Sequence, residues 1–398
     1  MRVLMLGWEF PPRVSGGLGT ACRGITRGLM HAGTEVLFVL PSAHDSQAVD
    51  GLDLMGCDRV PIMEDRRWAT SRAREAIGVR VQLDPYSGRS FGCFDSVADV
   101  HGELEHYTRA VGEIARARSF DVIHAHDWMS FPAGMFAKEL AGTPLIAHVH
   151  SLESDRAGDK ADPRIVAVER AGLEACDQIV CVSESTAGAI RQRYGIDGDR
   201  IRVVHNAVEA RGSMPTSSSK RKGQCVLFMG RITQQKDPAT FLEAAALVLR
   251  AVPTARFVLA GDGDLLPDMV ELSLKLGLER AVRFTGFLGE AEVDAMYEHA
   301  DVFVMPSRSE PFGLVSLEAM SHGVPVVATR GSGVLETLSS ALVVEPGDAA
   351  GLAEQVVALL TQPELREAVL ATGATEVRNA SWERRGVELA ELYAELVG

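Results

Sequence analysis

Short, unbroken apolar runs recur along this chain with helical stretches between them. In the first half they fall at residues 3–6, 36–40, 122–126, 145–149, 179–182 and 201–204. In the second half they fall at 225–229, 257–260, 282–285, 302–305, 324–328 and 341–344. A strand with one face in water alternates apolar and polar residues. A run such as Val36-Leu37-Phe38-Val39-Leu40 does not, so both its faces are covered. Such runs separated by helices specify parallel sheets with helices on both sides. Two series predict two doubly wound, Rossmann-like α/β domains. The polar, Ser-rich stretch 211–223 between them reads as a linker. The expected domains are therefore 1–210 and 224–379, followed by a C-terminal segment, 380–398.

Composition narrows the function classes. With 398 residues, 46% hydrophobic and 24% charged, the chain suits two ordinary globular cores. No apolar run is long enough to span a bilayer, and the opening Met1–Gly7 reads as a first buried strand rather than a signal segment. Cys22, Cys57, Cys93, Cys176, Cys181 and Cys225 are scattered without a C-x-x-C pair, the pattern of reduced thiols in a cytoplasmic protein. A net charge of −14 argues against a general nucleic-acid binder, which needs a basic face. It leaves room for one small anion held by a few local cations. Arg66, Arg67, Arg72, Arg74 and Arg80 are interleaved with Glu64, Asp65 and Glu75. They read as a solvated helix, with a membrane-surface patch around Trp68 as the lesser alternative.

Open parallel sheets bind ligands at the carboxyl ends of their strands, so the residues just after each run carry the functional reading. Glu310-Pro311-Phe312-Gly313-Leu314-Val315-Ser316-Leu317-Glu318 follows one run as a tight loop opening into a helix. The N–H groups of Gly313, Leu314 and Val315 then point at whatever lies above the sheet, and a helix start of this kind favours phosphate. Glu310 and Glu318 flank that position. A phosphate repels carboxylates, so their natural partners are hydroxyls of a ribose or a sugar. The plain alternative is a capping carboxylate plus a solvated helical Glu. Gly230-Arg231-Ile232-Thr233-Gln234-Gln235-Lys236-Asp237 follows another run. Arg231 and Lys236 are spaced to meet an anion from two sides of one loop, or else to cap a helix and decorate the surface. Ala260-Gly261-Asp262-Gly263 and Gly286-Phe287-Leu288-Gly289 complete the series. Both are small-residue loops that let a base or ribose approach the backbone, at Gly263 and Leu288 in particular.

In the first half, Gly16-Gly17-Leu18-Gly19 follows the first run. It is neither a dinucleotide fingerprint nor a P-loop; it allows positive φ and close backbone approach, or simply a sharp strand-to-helix connection. His124-Ala125-His126-Asp127-Trp128 ends one strand and His148-Val149-His150 ends the next. Alternation puts His124 with His126, and His148 with His150, on common faces. The spacing lacks an acidic or Cys partner to complete a metal half-site, which favours hydrogen-bonding histidines; His150 sits where a ligand would be met.

The order of Arg/Lys loop, two glycine loops and Glu-x7-Glu resembles the retaining family-4 glycosyltransferases of GT-B fold, over nearly the whole length. The W-E-F-P-P, Gly-Gly-Leu and H-x-H-D-W segments look most like bacterial and archaeal glycogen (starch) synthases. Those members often carry Lys-Gly where this chain has Lys236-Asp237. The resemblance implies two domains facing across a cleft, and a C-terminal helix after Ser381-Trp382-Glu383 that crosses back to the first domain. It implies a nucleoside diphosphate sugar donor, a carbohydrate acceptor, and no metal or other cofactor. Arg231 and Lys236 would hold the diphosphate, Glu318 the ribose and Glu310 a donor-sugar hydroxyl. Gly313, Leu314 and Val315 would meet phosphate and sugar through their backbone. His150 would lie near the anomeric carbon, Gly17 beside the diphosphate, and Gly16 and Asp127 on the acceptor side. The expected activity is retaining transfer of a hexosyl, most simply glucosyl, group to a glycan. A lipid-linked or small-molecule acceptor, a nucleotide-sugar epimerase and a non-catalytic binding protein are the competing readings. A pyridoxal-phosphate phosphorylase fits less well, since nothing marks a cofactor lysine.

Overall fold

The computed structural model describes residues 1–11, 16–42, 51–63, 65–77, 100–209 and 224–398. The expected linker, Cys93, Glu64 and Arg80 lie outside them. The chain divides into two compact units, one formed by Met1–Asn206 with Trp382–Gly398, the other by Ala207–Ser381.

In the first unit β1 (Arg2–Leu6), β2 (Glu35–Leu40), β3 (Asp53–Gly56), β4 (Val122–His126), β5 (Leu145–Val149), β6 (Gln178–Cys181) and β7 (Ile201–Val203) form one parallel sheet. Its strand order is β3-β2-β1-β4-β5-β6-β7. In the second unit β8 (Cys225–Met229), β9 (Arg256–Ala260), β10 (Val282–Gly286), β11 (Val302–Met305), β12 (Val326–Thr329) and β13 (Leu342–Val344) form another, also parallel. Its order is β10-β9-β8-β11-β12-β13. All twelve expected runs are strands within a residue or two. β3 was not foreseen, because Asp-Leu-Met-Gly is too short and too polar at its ends to register as an apolar run; it survives as a sheet edge.

Both sheets reverse direction of winding next to their first strand, between β1 and β4 in one and between β8 and β11 in the other. A crevice opens at that point of a doubly wound sheet. The central strands are buried on both faces, Val3 to Leu6 and Val302 to Met305 alike, as their unbroken apolar sequences require.

The helix Trp382–Val397 belongs to the first unit, where it crosses the helix Gly17–His31. The crossing is backbone against backbone. A Cβ added at Gly386 would lie 2.1 Å from the Gly28 carbonyl oxygen, and one at Gly28 equally close to that of Trp382. Trp382 fills the space beside Gly24, and Tyr393, fully buried, places its hydroxyl 2.5 Å from His124 Nδ1.

The Arg-rich stretch forms two short helices, Arg66–Ala69 and Arg72–Ile77. Trp68 does not face outward. Its ring packs edge-on against Phe136 at 5.3 Å, and its indole N–H donates to Glu105. No helix among the described residues is long and apolar enough to cross a membrane. The five described cysteines are free thiols.

Candidate functional site

In the second unit the loops after β8, β9, β10 and β11 are joined to one another by main-chain contacts. Gly230 N donates to Ala260 O, Ile232 N to Asp262 O, and Gly261 N to Gly286 O, all at 2.9–3.0 Å. A Cβ on Gly261 would lie 1.9 Å from Gly230 O, and one on Gly263 2.4 Å from Ile232 O. These glycines are therefore required first by the contact between loops, a tighter reason than the approach of a ligand that the sequence suggested. Gly263 and Leu288 remain partly exposed, and Phe287 beside Leu288 is largely so.

The loop after β8 is stitched to the loop after β11 across the winding reversal. Gln235 does most of the joining. Its carbonyl accepts from Arg308 N at 2.8 Å, its amide donates to Ser309 O at 3.2 Å, and its side-chain oxygen accepts from Arg231 at 3.3 Å. Asp237, with φ of 49°, immediately precedes the helix Pro238–Ala251 and forms an ion pair with Arg308 at 3.0 Å. Lys236 Nζ lies 2.5 Å from Glu310 Oε2, which also accepts from Ser307 Oγ at 3.0 Å. Both members of this pair are mostly enclosed (side chains 18% and 6% exposed). The sequence predicted Lys236 and Glu310 at one site; their direct pairing was not legible, because it depends on how β8 and β11 become neighbours.

Gly313 adopts φ of 104° and begins the helix Leu314–Ser321. Its conformation and the nearby Met305 sulfur, 2.8 Å from where a Cβ would be, both demand glycine. As cap and first residues of the helix, Gly313, Leu314 and Val315 have N–H groups without an intrahelical acceptor. Glu318 lies a turn further on, partly exposed, with Oε2 3.0 Å from the hydroxyl of Tyr297. That hydroxyl is also 3.2 Å from Val315 O, and the Tyr297 ring packs at a tilt against His322, with centroids 4.8 Å apart. Tyr297, which orients Glu318, was missed by sequence reasoning; a single aromatic on the helix before β11 gives no signal of it. Arg231, Lys236, Glu310, Glu318 and the helix start thus gather at the carboxyl end of one sheet. This unit can hold an anion between cations and helix N–H groups, with carboxylates beside it for hydroxyls.

The first unit presents a second set. Gly16 and Gly17 are exposed at the start of the helix Gly17–His31. The positive φ expected for this turn is absent at Gly16, whose φ of −172° is ordinary extended backbone. What glycine provides there is open space, with no atom within 4 Å of a hypothetical Cβ. The four histidines of β4 and β5 and the residue after β5 lie together. His124 Nε2 is 3.0 Å from His148 Nδ1, and His126 Nδ1 is 2.9 Å from His150 Nε2. Burial pushes the His124 and His150 imidazoles down to about 3, and His126 and His148 well below their usual value. All four are neutral at pH 7. His124, His126 and His148 bring a ring nitrogen each within 4.8 Å of one another, but two imidazole–imidazole hydrogen bonds and Tyr393 already engage the cluster, and no carboxylate or thiolate among the described residues joins it.

Asp127 is where the structure departs most from expectation. Only 3% of its surface is exposed, where the family resemblance implies a place on the acceptor side. Its carboxylate instead accepts from His150 N at 2.7 Å and Ser151 N at 3.3 Å, which fixes the loop carrying His150. Burial raises its carboxyl to about 6, against the opposing pull of Arg156 and those two N–H groups. Arg156, not foreseen, pins the same loop through Ser151, Glu153 and Glu169.

Two family profiles match the chain, "Glycosyl transferases group 1" at residues 213–374 and "Glycosyltransferase Family 4" at residues 97–211. A D-inositol 3-phosphate glycosyltransferase of Salinispora arenicola is 32% identical, covering 75% of each chain. A glycogen synthase of Mycobacterium tuberculosis is 27% identical over 91% of this chain and 87% of that one. Among solved structures, Anabaena HepE in complex with UDP and glucose superposes with a TM-score of 0.74 at 16% identity, covering 99% of both chains.

Proposed function

Because the chain belongs to the family-4 glycosyltransferases of GT-B fold, we propose that it moves a hexosyl group, most simply glucosyl, from a nucleoside diphosphate sugar to a glycan with retention of anomeric configuration. The observation that carries this reading is the Lys236–Glu310 pair beside the start of the helix Leu314–Ser321. It offers a fixed cation for a diphosphate and a fixed carboxylate for a sugar hydroxyl, joined across the winding reversal of one sheet.

In the proposed reaction the bond from the anomeric carbon to the phosphate oxygen breaks, and the diphosphate keeps the electron pair. Arg231, Lys236 and the N–H groups of Gly313, Leu314 and Val315 stabilise the charge that develops there, which preorganised donors do at no cost of reorganisation. Glu310 holds a hydroxyl of the sugar as it becomes oxocarbenium-like, and Glu318, oriented by Tyr297, holds the ribose. The acceptor hydroxyl attacks from the face the diphosphate is leaving, and its proton passes to a phosphate oxygen. The family resemblance gives His150, in the first unit, a role towards the anomeric carbon. Side-chain cations do the work a metal would do, so no metal cofactor enters the scheme. Asp127 takes the role its contacts support, holding the His150 loop.

A second reading has a specific observation in its favour. The relative at 32% identity is named for inositol 3-phosphate, so a small phosphorylated polyol is the alternative acceptor. It leaves the donor site unchanged.

The test is a thermal-shift panel of ADP, GDP and UDP, their sugars and the matching monophosphates, with and without EDTA. A ligand at a hundred times its Kd stabilises the native state by about 2.7 kcal/mol, a shift of several degrees. One diphosphate series is expected to shift the transition, the monophosphate much less, and EDTA to leave the shift intact. No response to any diphosphate would overturn the reading.

A further inference from the structure

Three consecutive residues after β8 grip three consecutive residues after β11. The Gln235 carbonyl accepts from Arg308 N at 2.8 Å, and the Gln235 amide donates to Ser309 O at 3.2 Å. Lys236 meets Glu310 at 2.5 Å, and the Asp237 carboxylate accepts from Arg308 Nε at 3.0 Å. Lys236 is thus bracketed in sequence by two residues that both hold the loop carrying Glu310. Gln235 grips that loop by its main chain. Asp237 grips it through a side chain that is 4% exposed, set against a guanidinium that is 57% exposed.

The backbone of Asp237 is the unusual element. Among the described residues, Asp127 and Asp237 are the two that adopt positive φ without being glycine. At φ of 49° and ψ of 56° Asp237 lies in the left-handed region, which is costly for a residue with a side chain, though less so for aspartate than for most. Such a conformation persists where its surroundings fix it, and it gathers at functional sites. Helix capping would account for an aspartate at the head of Pro238–Ala251. Its side chain, however, makes no capping bond to that helix. Oδ2 accepts instead from Thr240 Oγ1 at 2.9 Å and from Arg308 Nε at 3.0 Å. The carboxylate therefore serves the neighbouring loop, and Thr240 holds it in that direction. The N–H groups of Lys236 and Asp237 both donate to Thr233 O, at 3.1 and 3.2 Å, so Asp237 also closes the turn that carries Lys236.

We propose that Asp237 is a positioning residue, whose left-handed backbone and ion pair with Arg308 hold Lys236 in register with Glu310, so that the two meet the diphosphate and the sugar of one donor together. This rests on the roles given above to Lys236 and Glu310. A glycine at position 237 would adopt the same φ without strain, but the turn carrying Lys236 would no longer grip Arg308. The strain is retained because the side chain is used. Charges already in place when the donor arrives need no reorganisation as the bond breaks, and a reacting group displaced by about 1 Å can lose about 10²-fold in rate.

The experiment compares Asp237→Gly, Asp237→Asn, Arg308→Gln and the double variant Asp237→Gly with Arg308→Gln in the full chain, with Glu310→Gln as reference. Steady-state kinetics use the diphosphate sugar selected by the thermal-shift panel, and calorimetry follows the transition of the second unit. Asp237→Gly relieves the backbone while it removes an ion pair to an exposed arginine, so its transition is expected to stay within about 2 °C of normal. Its kcat is expected to fall about tenfold with KM changed less than about threefold. Asparagine tolerates the left-handed region and can still accept from Arg308 and Thr240, so Asp237→Asn is expected to recover most of that loss. Arg308→Gln keeps the main-chain bond to Gln235 and is expected to lose about as much as Asp237→Gly. The double variant is expected to be no slower than the worse single one, because the two residues act as one unit. Normal kcat in Asp237→Gly or Arg308→Gln while Glu310→Gln is impaired would overturn the proposal. So would an Asn variant no better than glycine, losses that multiply in the double variant, or a kcat loss that merely follows a lowered transition. Full transfer by Glu310→Gln would overturn the donor-site reading, and the proposal with it.

Discussion

Glu310→Gln is expected to lower kcat/KM for sugar transfer by about 10²- to 10³-fold, the size of effect seen when one preorganised charge-stabilising group is lost. The substitution preserves shape but removes two things together. The enclosed carboxylate no longer accepts a sugar hydroxyl with full charge, and Lys236, held 2.5 Å from it, loses the partner that fixes its position. Lys236→Met is expected to do comparable damage by removing a cation from the departing diphosphate. Either single change leaves a charge in a mostly enclosed site without its partner, which also destabilises the fold. The double variant Glu310→Gln with Lys236→Met removes both charges. It is expected to regain much of the lost stability while remaining as inactive as the worse single variant. That split between stability and turnover is what a purely structural ion pair would not give. Either single variant within a few-fold of normal kcat/KM would show that the pair only holds two loops together.

The second large effect is expected in the other unit. Gly386→Ala places a methyl group 2.1 Å from the Gly28 carbonyl oxygen, against main chain that cannot turn aside. By helix propensity alone this change would stabilise the exposed interior of a helix by about 1 kcal/mol. Here the sign reverses. The two helices must separate, which loosens Trp382 beside Gly24 and lifts Tyr393 from His124. Overpacking of this kind costs about 1–3 kcal/mol and occasionally more, and the uncovering of two large aromatics adds to it. The transition of the first unit is expected to fall by about 6 °C or more, at roughly 2–4 °C per kcal/mol for a domain of this size. Calorimetry, in which two units can unfold separately, measures it. An unchanged or raised transition would mean that the helices do not cross at these glycines.

The parts legible in the sequence were those written in local pattern. Runs dominated by Val, Ile and Leu placed twelve strands because burial on both faces disfavours polar residues, the paired histidines of β4 and β5 being the exception. The loop after each run gave Arg231, Lys236, Glu310 and Glu318, since a parallel sheet presents all its carboxyl ends on one side. What the sequence did not carry were relations set by strand order. Lys236 meets Glu310, and Gln235 bridges to Arg308 and Ser309, because β8 and β11 are neighbours although some seventy residues separate them. The glycines show the same limit in another form. Gly261 and Gly263 read as small loop residues that admit a ligand, yet each is fixed by a main-chain contact that only the assembled fold supplies, and the same holds for Gly28 and Gly386, which gave no signal in the sequence. Asp127 was placed on the acceptor side by the family resemblance; its φ of 57° and its bond to His150 N give it a part in shaping the turn.

The central claim is retaining transfer from a nucleoside diphosphate sugar, and the most direct measurement is the configuration of the product as it forms. Proton NMR would follow the anomeric signals of an α-linked donor, chosen by the thermal-shift panel, in the presence of an α-glucan oligosaccharide or a polyol phosphate. The expected result is a first-formed product with the α configuration, appearing as the nucleoside diphosphate is released. A first-formed β product would contradict the account.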